Sequence, residues 1–436
     1  MVKSSIVEKA NQPNLSLNLN IRGMKPSATV ASNENSDKLI AQGRKIYKLG
    51  LGQSPFPVPE CVVQALRDNA HQKDYLPVKG LTPLRETLAK RYKDKFGVPY
   101  TKEDVLVGPG SKELMFLLQL TFYGDIIIPT PSWVSYAPQA RIIGRQIQFL
   151  ATSYASGWKI TAKKLETLCE FDPTRPRVVI LNYPSNPTGG TYSPKELKSI
   201  AEVARRYKVL ILSDEIYGRI HHDAKHKSII PYYPEGSIYS GGLSKWCGAG
   251  GWRLGFFIFP PGLRHLTDAM ASVASETYTS TSAPIQHAAI SAFNPNDELT
   301  EYLTDVRRIS KKLGRDISRR LRRAGARLED PKGGFYLFPS FRKYRPALAK
   351  KGIKTSEELC SAILKKTGVA VLPGVEFGRT PKELTMRLAY VNFDGAQALA
   401  AARKAKKRLL TTKDLAGPCR ETYEAIERLA GFFESL

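Results

Sequence analysis

Short aliphatic segments alternate with helical ones along much of the chain, and this alternation constrains the fold more than any other feature. Five segments have the composition of buried strands: DVLVG (104–108), DIIIP (125–129), RVVILNYP (177–184), KVLILSDEIY (208–217) and GSIYSG (236–241). Most of them are separated by stretches long enough for a helix. Such alternation predicts an α/β fold, with a parallel sheet covered by helices on both faces.

One helix start is marked by its own residues. After the turn NPTGG, Ser193 can cap a helix, Pro194 suits the first turn, and Glu196 completes a capping box. Apolar residues then recur at helical spacing. A helix is therefore predicted between the third and fourth strands.

The pattern changes near residue 330. GGFYLFPSF, GVAVLPGVEFG and TMRLAYVNF are strand-like and surround helical stretches at 355–366 and 395–410, which predicts a smaller α+β domain. Two domains also suit 436 residues, because single cores stop growing at about 250–300 residues. The predicted divisions are an N-terminal arm (1–45), a contribution to the small domain (46–60), a large domain (61–325) and a small C-terminal domain (326–436).

A formal net charge of +26 would suit an anionic partner such as nucleic acid. In the densest basic stretch, 306–328, Val306, Ile309, Leu313 and Ile317 recur at helical spacing. The favoured interpretation is an amphipathic surface helix with a solvated basic face. Because the sequence has no zinc-finger spacing and no basic–aromatic interleaving, no nucleic-acid partner is predicted.

Other sequence features bear on metal binding and location. The five cysteines are far apart and form no CxxC pair, so neither a metal site nor a disulfide framework is predicted. No apolar run approaches the about 20 residues of a membrane span. The first 33 residues lack a secretory signal pattern, so a cytoplasmic protein is the simplest expectation. Their basic, acid-poor composition leaves organelle import open.

Polar residues follow the predicted strands where ligands bind in parallel α/β sheets, at the carboxyl ends. They are Gly110 and Ser111 after the first strand, Asn186 after the third, Asp214 and Tyr217 after the fourth, and Lys245 after the fifth. Singly, each has an ordinary interpretation: a turn asparagine, a helix-capping acid, an exposed lysine. Their joint placement on one rim favours a common site.

Pyridoxal phosphate catalysis needs such a set. A lysine forms the Schiff base, an acid pairs with the pyridinium nitrogen, and phenol and amide donors hold the ring hydroxyl. A helix start with an arginine takes the phosphate. The rim therefore predicts a pyridoxal 5′-phosphate site.

The motifs on this rim carry a family resemblance. SNPTGG, SDEIYGRI and LSKWCGAGGWRLGF resemble the three signature segments of class I/II, fold-type-I aminotransferases. YLPVKGLTPLRETLA is similar to a segment of aspartate aminotransferases, and LGLGQSPFPVPE and MRLAYVNF extend the resemblance over nearly the whole chain past residue 45. It implies a large domain with a mostly parallel central sheet and a smaller α+β domain.

The resemblance implies roles for the lysine and the acid. Lys245 would bind the cofactor covalently and shuttle the proton between the substrate Cα and the cofactor. Partial burial and the nearby Arg253 should lower the pKa of Lys245. Asp214 would keep the ring nitrogen protonated, while Asn186 and Tyr217 would hydrogen-bond the ring oxygen.

The resemblance also implies residues for the phosphate and the ring. Arg253 would bind the phosphate together with Ser111 and the backbone of Gly110 and Lys112. Trp133 matches the aromatic residue that stacks on the ring. Tyr75 matches a tyrosine that reaches the phosphate of the neighbouring subunit, which implies a homodimer with shared sites.

One position departs from the family. Gly242 stands three before Lys245, where a phosphate-binding serine is common, so Ser240 or Ser244 would have to compensate.

For the substrate, Arg387 aligns with the arginine that grips the α-carboxylate in a bidentate fork. Its alternative interpretation is a surface strand arginine. Gly52 matches a glycine whose backbone lies beside that carboxylate, and Trp133 and Asn186 are expected to border the substrate.

The resulting hypothesis is a dimeric, pyridoxal-phosphate-dependent aminotransferase that exchanges an amino group between an L-amino acid and a 2-oxo acid. Aspartate and 2-oxoglutarate are the favoured pair, and aromatic or neutral amino acids are the alternative. A lyase on the same fold, and a non-catalytic sensor or basic nucleic-acid binder, remain open.

Overall fold

The computed structural model describes residues 16–406 and 408–436, so the first 15 residues of the predicted N-terminal arm lie outside it. The strands are β1 (Tyr47–Lys48), β2 (Val105–Gly108), β3 (Asp125–Thr130), β4 (Ile147–Ala151), β5 (Arg177–Asn182), β6 (Leu210–Asp214), β7 (Ser237–Gly242), β8 (Gly255–Ile258), β9 (Tyr336–Leu337), β10 (Val369–Ala370), β11 (Leu372–Pro373) and β12 (Met386–Ala389). The α-helices are α1 (Ala28–Ala41), α2 (Glu60–Asp68), α3 (Thr82–Phe96), α4 (Ser111–Thr121), α5 (Tyr136–Ile142), α6 (Ala162–Glu170), α7 (Pro194–Arg206), α8 (Arg264–Ser275), α9 (Ala283–Phe293), α10 (Asp297–Arg323), α11 (Arg345–Lys350), α12 (Ser356–Thr367), α13 (Gly395–Lys404), α14 (Thr412–Ala416) and α15 (Arg420–Glu434).

A seven-stranded sheet forms the centre, in the order β2-β8-β7-β6-β5-β3-β4. All strands run in one direction except β8, which is antiparallel to both of its neighbours. The predicted α/β class and mostly parallel sheet are confirmed, and all five predicted strands belong to it.

Helices cover both faces of this sheet because its strands are apolar on both sides. Along β3, Ile126 and Ile128 pack with the core beneath α4 and α8, while Ile127 packs with the core beneath α6 and α7 on the opposite face. This alternation follows from the two-residue period of a strand. The predicted start of α7 is confirmed, since Ser193 and Glu196 form the capping box.

Residues 306–323 of the basic stretch belong to the 27-residue helix α10, which begins before the predicted segment and ends before its last five residues. Its aliphatic stripe is buried, as predicted. The basic face is partly paired rather than simply solvated: Arg320 lies 2.8 Å from Glu427 and 2.7 Å from Glu434. Part of the positive charge on this helix is therefore compensated within the chain.

Beyond α10, a three-stranded antiparallel sheet has the order β11-β12-β9. Strand β1 pairs in parallel with β10, so the segment around residue 47 packs against the C-terminal part of the chain. The domain divisions given above stay a prediction.

Within residues 16–406 and 408–436, no helix is long and apolar enough to cross a membrane.

Candidate active site

A cavity of about 480 Å³ lies at the carboxyl ends of β5 and β6. It brings most of the predicted site residues together: Gly52, Ser111, Lys112, Trp133, Asn186, Asp214, Tyr217, Ser244, Lys245, Arg253 and Arg387. Gly110 is not part of this lining, but it lies against the side chain of Arg253, which is. Tyr75 does not line it and is 91% exposed. The rim expected from strand ends therefore exists in the folded chain.

Lys245 lies in the loop that follows β7. Its Nζ donates a hydrogen bond to the carbonyl oxygen of Gly52 at 2.8 Å. Burial, then repulsion by Arg387 and more weakly by Arg253, lowers the pKa of this amine to about 8, although Asp214 opposes the shift. The predicted direction is confirmed. An amine with this pKa supplies a useful neutral fraction near pH 7, which a nucleophile requires.

Asp214 is the last residue of β6 and is almost fully buried. Its Oδ2 accepts hydrogen bonds from Tyr136 Oη at 2.5 Å and from Asn182 Nδ2 at 3.1 Å. Burial raises the pKa of this carboxyl to about 6, while the hydrogen bonds from Tyr136 and from the Ile216 amide oppose the shift. Among the described residues it has no ion-pair partner within 4 Å, and attraction by Lys245 lowers its pKa only weakly.

The sequence interpretation missed Tyr136 and Asn182. Asn182 ends the strand next to β6 and is in register with Asp214. Tyr136 stands three residues after Trp133 and begins α5. Their hydrogen bonds fix the carboxylate in one orientation.

Tyr217 pairs with a further residue that was not predicted. Its Oη lies 2.8 Å from Tyr336 Oη, and both phenols are buried. Burial raises the pKa of Tyr217 well above its ordinary value, so the phenol stays protonated. At Gly52 an added Cβ would lie 1.9 Å from Tyr336 Oη. Glycine is thus needed where the backbone approaches both Tyr336 and Lys245.

The first turn of α4 and Arg253 form an anion-binding corner. Gly110, which precedes the helix, has φ of +92°, and an added Cβ would lie 2.3 Å from Arg253 Nη2. Arg253 donates to the carbonyl oxygens of Gly250 at 2.9 Å and Pro109 at 3.2 Å. Free amides at a helix start and a guanidinium together suit a phosphate.

The structure distinguishes the two serines proposed to compensate for Gly242. An added Cβ at Gly242 would lie 2.8 Å from the Leu254 carbonyl oxygen, so the β7–β8 pairing leaves no room for a larger residue. Ser240 is buried within β7, and its hydroxyl has no hydrogen-bond partner. Ser244 lines the cavity and is therefore the better placed of the two.

Arg387 lies on β12 and is only 1% exposed, so the alternative interpretation as a surface strand arginine is wrong. Its Nη1 donates to Asn186 Oδ1 at 3.1 Å, and its Nη2 donates to the Gly50 carbonyl oxygen. Its Nε is buried without a partner. Burial lowers the pKa of this guanidinium. Because an uncompensated buried charge is costly, the site favours a carboxylate ligand here.

Aromatic and N-terminal residues complete the cavity wall. Trp133 packs edge-to-face against Tyr136 at 5.2 Å between ring centroids. Ser27, Thr29 and Val30, at the start of α1, also line the cavity. The sequence interpretation gave this arm no role.

These groups fit pyridoxal 5′-phosphate. The anion-binding corner matches its phosphate, the buried Asp214 lacks the cation that a protonated ring nitrogen would supply, and the Lys245 amine is activated. Among residues 16–406 and 408–436, no three His, Cys, Asp or Glu side chains cluster as a metal site would require. The fold and this cavity define a pyridoxal-phosphate-dependent enzyme.

Comparison with known proteins identifies the family. Residues 44–403 match the model of "Aminotransferase class I and II", and the chain belongs to this family. It is 33% identical to the aspartate aminotransferase of Geobacillus stearothermophilus over 88% of this chain and 96% of that protein. It is 31% identical to an asparagine–oxo-acid transaminase of Streptococcus mutans, over 84% of this chain and 92% of that protein.

A solved structure agrees. The aspartate aminotransferase of Thermus thermophilus with maleate matches with a TM-score of 0.81 and 26% identity, covering 96% of this chain and 100% of that one. The chain is thus an aminotransferase of fold type I that uses pyridoxal phosphate.

Proposed function

We propose that the protein transfers the amino group of L-aspartate to a 2-oxo acid such as 2-oxoglutarate. The supporting observation is the charge of the cavity, whose described lining has four cations, Lys112, Lys245, Arg253 and Arg387, and one carboxylate, Asp214. A phosphate and a substrate with two carboxylates together supply the matching negative charge. Relatives named for aspartate and asparagine are consistent with this substrate class.

Each cation has a separate task in this proposal. Arg253 holds the phosphate, Lys245 bonds to the cofactor aldehyde, and Arg387 grips the substrate α-carboxylate. The remaining cation, Lys112, is assigned to the side-chain carboxylate of the aspartate substrate. Its amine lies 5.6 Å from the Trp133 ring centroid and has no ion-pair partner among the described residues. Burial, and then Arg253, lowers the pKa of Lys112, so an anion there would be stabilising.

The remaining side chains control proton movement. Pyridoxal phosphate, when bound, supplies the electron sink for the negative charge that forms at Cα. Lys245 would hold the cofactor until the substrate amino group takes its place, and its released amine would then serve as the base for the Cα proton. Tyr217 would donate a hydrogen bond to the ring oxygen of the bound cofactor, and Asn186 orients Arg387 by accepting from its Nη1. Release of the first oxo acid then allows the second to bind, in a ping-pong order.

A screen of amino donors tests the substrate. With 2-oxoglutarate as acceptor, we expect kcat/KM to be highest for aspartate and at least about tenfold lower for alanine and phenylalanine, because only aspartate satisfies both Arg387 and Lys112. In Lys112→Gln the ratio of kcat/KM for aspartate to that for alanine should fall about tenfold, while kcat/KM for alanine stays nearly unchanged. Highest activity with an aromatic or neutral donor would contradict the proposal, and release of ammonia would favour the lyase.

The α-carboxylate role predicts the effect of Arg387→Lys. A point charge replaces a two-pronged donor, so we expect KM for aspartate to rise about tenfold or more while the affinity for pyridoxal phosphate stays normal. Steady-state kinetics and cofactor titration measure the two effects. Loss of cofactor with unchanged KM would show that Arg387 serves the cofactor instead.

We further propose a homodimer in which Tyr75 enters the neighbouring site. The 91% exposure of this large aromatic residue supports a role outside its own chain. We also propose that the enzyme works in amino acid biosynthesis in the cytoplasm. Its five free cysteines suit a reducing compartment.

Mixed dimers test the role of Tyr75. Tyr75→Ala and Lys245→Ala should each be impaired alone, but a dimer of one chain of each has one site with both changes and one with neither. After subunit exchange, equal mixtures should recover about a quarter of wild-type activity, because about half of the dimers are mixed and each mixed dimer has one intact site of two. No recovery after verified exchange would show that Tyr75 acts within its own chain.

A further inference from the structure

A second cavity, of about 310 Å³, lies between α3, the segment 218–226 and the first half of α10. Its lining includes Arg91, Lys95, Arg219, His226 and Arg307, and it contains no aspartate or glutamate. Basic residues thus converge on it from three separate elements.

The four arginine and lysine side chains of this lining are not neutralised by nearby carboxylates in the part of the chain that the structure describes. None of them has a carboxylate within 4 Å among the described residues, whereas Arg320 and Lys311 on α10 do. Burial, and then repulsion by Arg91 and more weakly by Arg307, lowers the pKa of Arg219 to about 10. Cations held together at such a cost are stabilised by an anion.

Backbone contacts hold these guanidinium groups in place. Arg91 Nη1 donates to the Phe293 carbonyl oxygen at 3.0 Å, and Arg307 Nε donates to the Arg219 carbonyl oxygen at 2.8 Å. Most of their N–H donors remain available. A prearranged donor set lowers the entropic cost of binding a ligand.

His226 adds a buried, unpartnered ring nitrogen to this cavity. Its side chain is only 6% exposed, and its Nε2 lies 2.6 Å from Glu215 Oε2. Its Nδ1 is buried and has no hydrogen-bond partner. A polar atom buried without a partner is costly, so His226 Nδ1 would gain from a ligand in this cavity.

We propose that this cavity is a second anion site, which binds a small phosphorylated metabolite through Arg91, Lys95, Arg219 and Arg307. A tetrahedral phosphate presents oxygens in several directions at once, which suits cations that come from three elements. The volume exceeds that of a single phosphate group, so the ligand carries an organic portion or a second phosphate. The apolar side of the lining, Tyr92 and Leu303, suits that portion.

The second anion site is connected to the active site by residues that neighbour Lys245 and Tyr217 in sequence. The Arg219 guanidinium lies 3.6 Å from the ring centroid of Trp246, which follows Lys245. Gly218 follows Tyr217 in sequence. A ligand that engages Arg219 therefore changes the surroundings of the buried Trp246, whose fluorescence reports binding.

Pyrophosphate is the probe. We expect the cofactor-loaded enzyme to bind one pyrophosphate per chain by calorimetry at fixed ionic strength, with a change in emission that is lost in Trp246→Phe. Lys95→Gln should weaken binding about tenfold, or about 1.4 kcal/mol, and Arg91→Gln combined with it should weaken binding further. The Lys95 side chain makes no hydrogen bond among the described residues, but its amine lies 4.8 Å from the ring centroid of Phe96. Thermal unfolding of Lys95→Gln therefore has to match that of the wild type before its binding is compared.

Two variants control for charge and for the active site. Lys93→Gln removes the same charge from the exposed surface of α3 and should leave binding unchanged. Arg387→Lys should also leave it unchanged. Binding that is lost in Arg387→Lys but kept in Lys95→Gln would place the anion in the active site and overturn the proposal, as would no saturable binding to the wild type. Tighter binding of malonate than of pyrophosphate would overturn the phosphate assignment.

Discussion

Lys245→Ala is expected to lose more than about 10⁴-fold of its multiple-turnover transamination. The Lys245 amine is the only one in the described cavity that Asp214, Tyr217 and the Gly52 carbonyl surround together. Lys112, the other lysine, lies by Trp133 at the start of α4. The change removes both the covalent attachment and the base at Cα, and a positioned base alone contributes about 10²–10⁴.

The cofactor itself should still bind to Lys245→Ala, because Arg253 and the start of α4 are unchanged. The visible absorbance of the covalently attached cofactor should be lost. Borohydride reduction followed by mass spectrometry should label Lys245 in the wild type and leave the variant unlabelled. Lys112→Gln is the matched control, since it removes another cavity amine and should keep the label. Wild-type turnover in Lys245→Ala would contradict the whole assignment.

Sequence patterns sufficed for the parallel part of the sheet because β3, β5 and β6 contain buried aliphatic runs, and β7 is bounded by turn residues and buried along its length. They did not predict β4, a partly exposed edge strand with Gln148 as its second residue. Strand β8 was missed for another reason. It returns antiparallel beside β7 with only a 3-10 turn at Gly250–Trp252 and no α-helix between them, so the alternation rule does not identify it.

The cavity residues also divide into those that the sequence predicted and those that it did not. Residues that follow strands in recognisable motifs, such as Asp214 and Lys245, could be placed from sequence. Tyr336 and Thr29 could not, because they reach the cavity from segments distant in sequence from the motifs. The burial of Arg387 was equally hidden, since its strand is short and its surroundings come from residues 50, 186 and 336.

Asp214→Ala is expected to slow the Cα proton transfer by about 10³ or more. A buried carboxylate beside the ring nitrogen of pyridoxal phosphate raises the pKa of that nitrogen, because it stabilises the protonated form in a poorly solvated place. The pKa of Asp214 itself is raised to about 6 by burial, and a neighbouring cation would lower it. About 4 kcal/mol of charge stabilisation corresponds to the expected factor.

The Asp214→Asn variant separates charge from structure. Asparagine keeps an oxygen for the hydrogen bonds from Tyr136 and Asn182 but carries no charge, so its rate should fall nearly as far as that of Asp214→Ala. Covalent attachment of the cofactor to Lys245 should persist in both. A Tyr136→Phe variant keeps the charge and loses one hydrogen bond, so its rate should fall by about tenfold at most.

A cofactor analogue with a methylated, permanently positive ring nitrogen decides the electronic argument. Its charge no longer depends on Asp214, so it should restore much of the lost rate in both Asp214 variants, as single-turnover absorbance would show. It should change Tyr136→Phe little. Wild-type rates in Asp214→Ala with the natural cofactor would show that this carboxylate only supports the turn after β6, and that another group must stabilise the charge that develops at Cα.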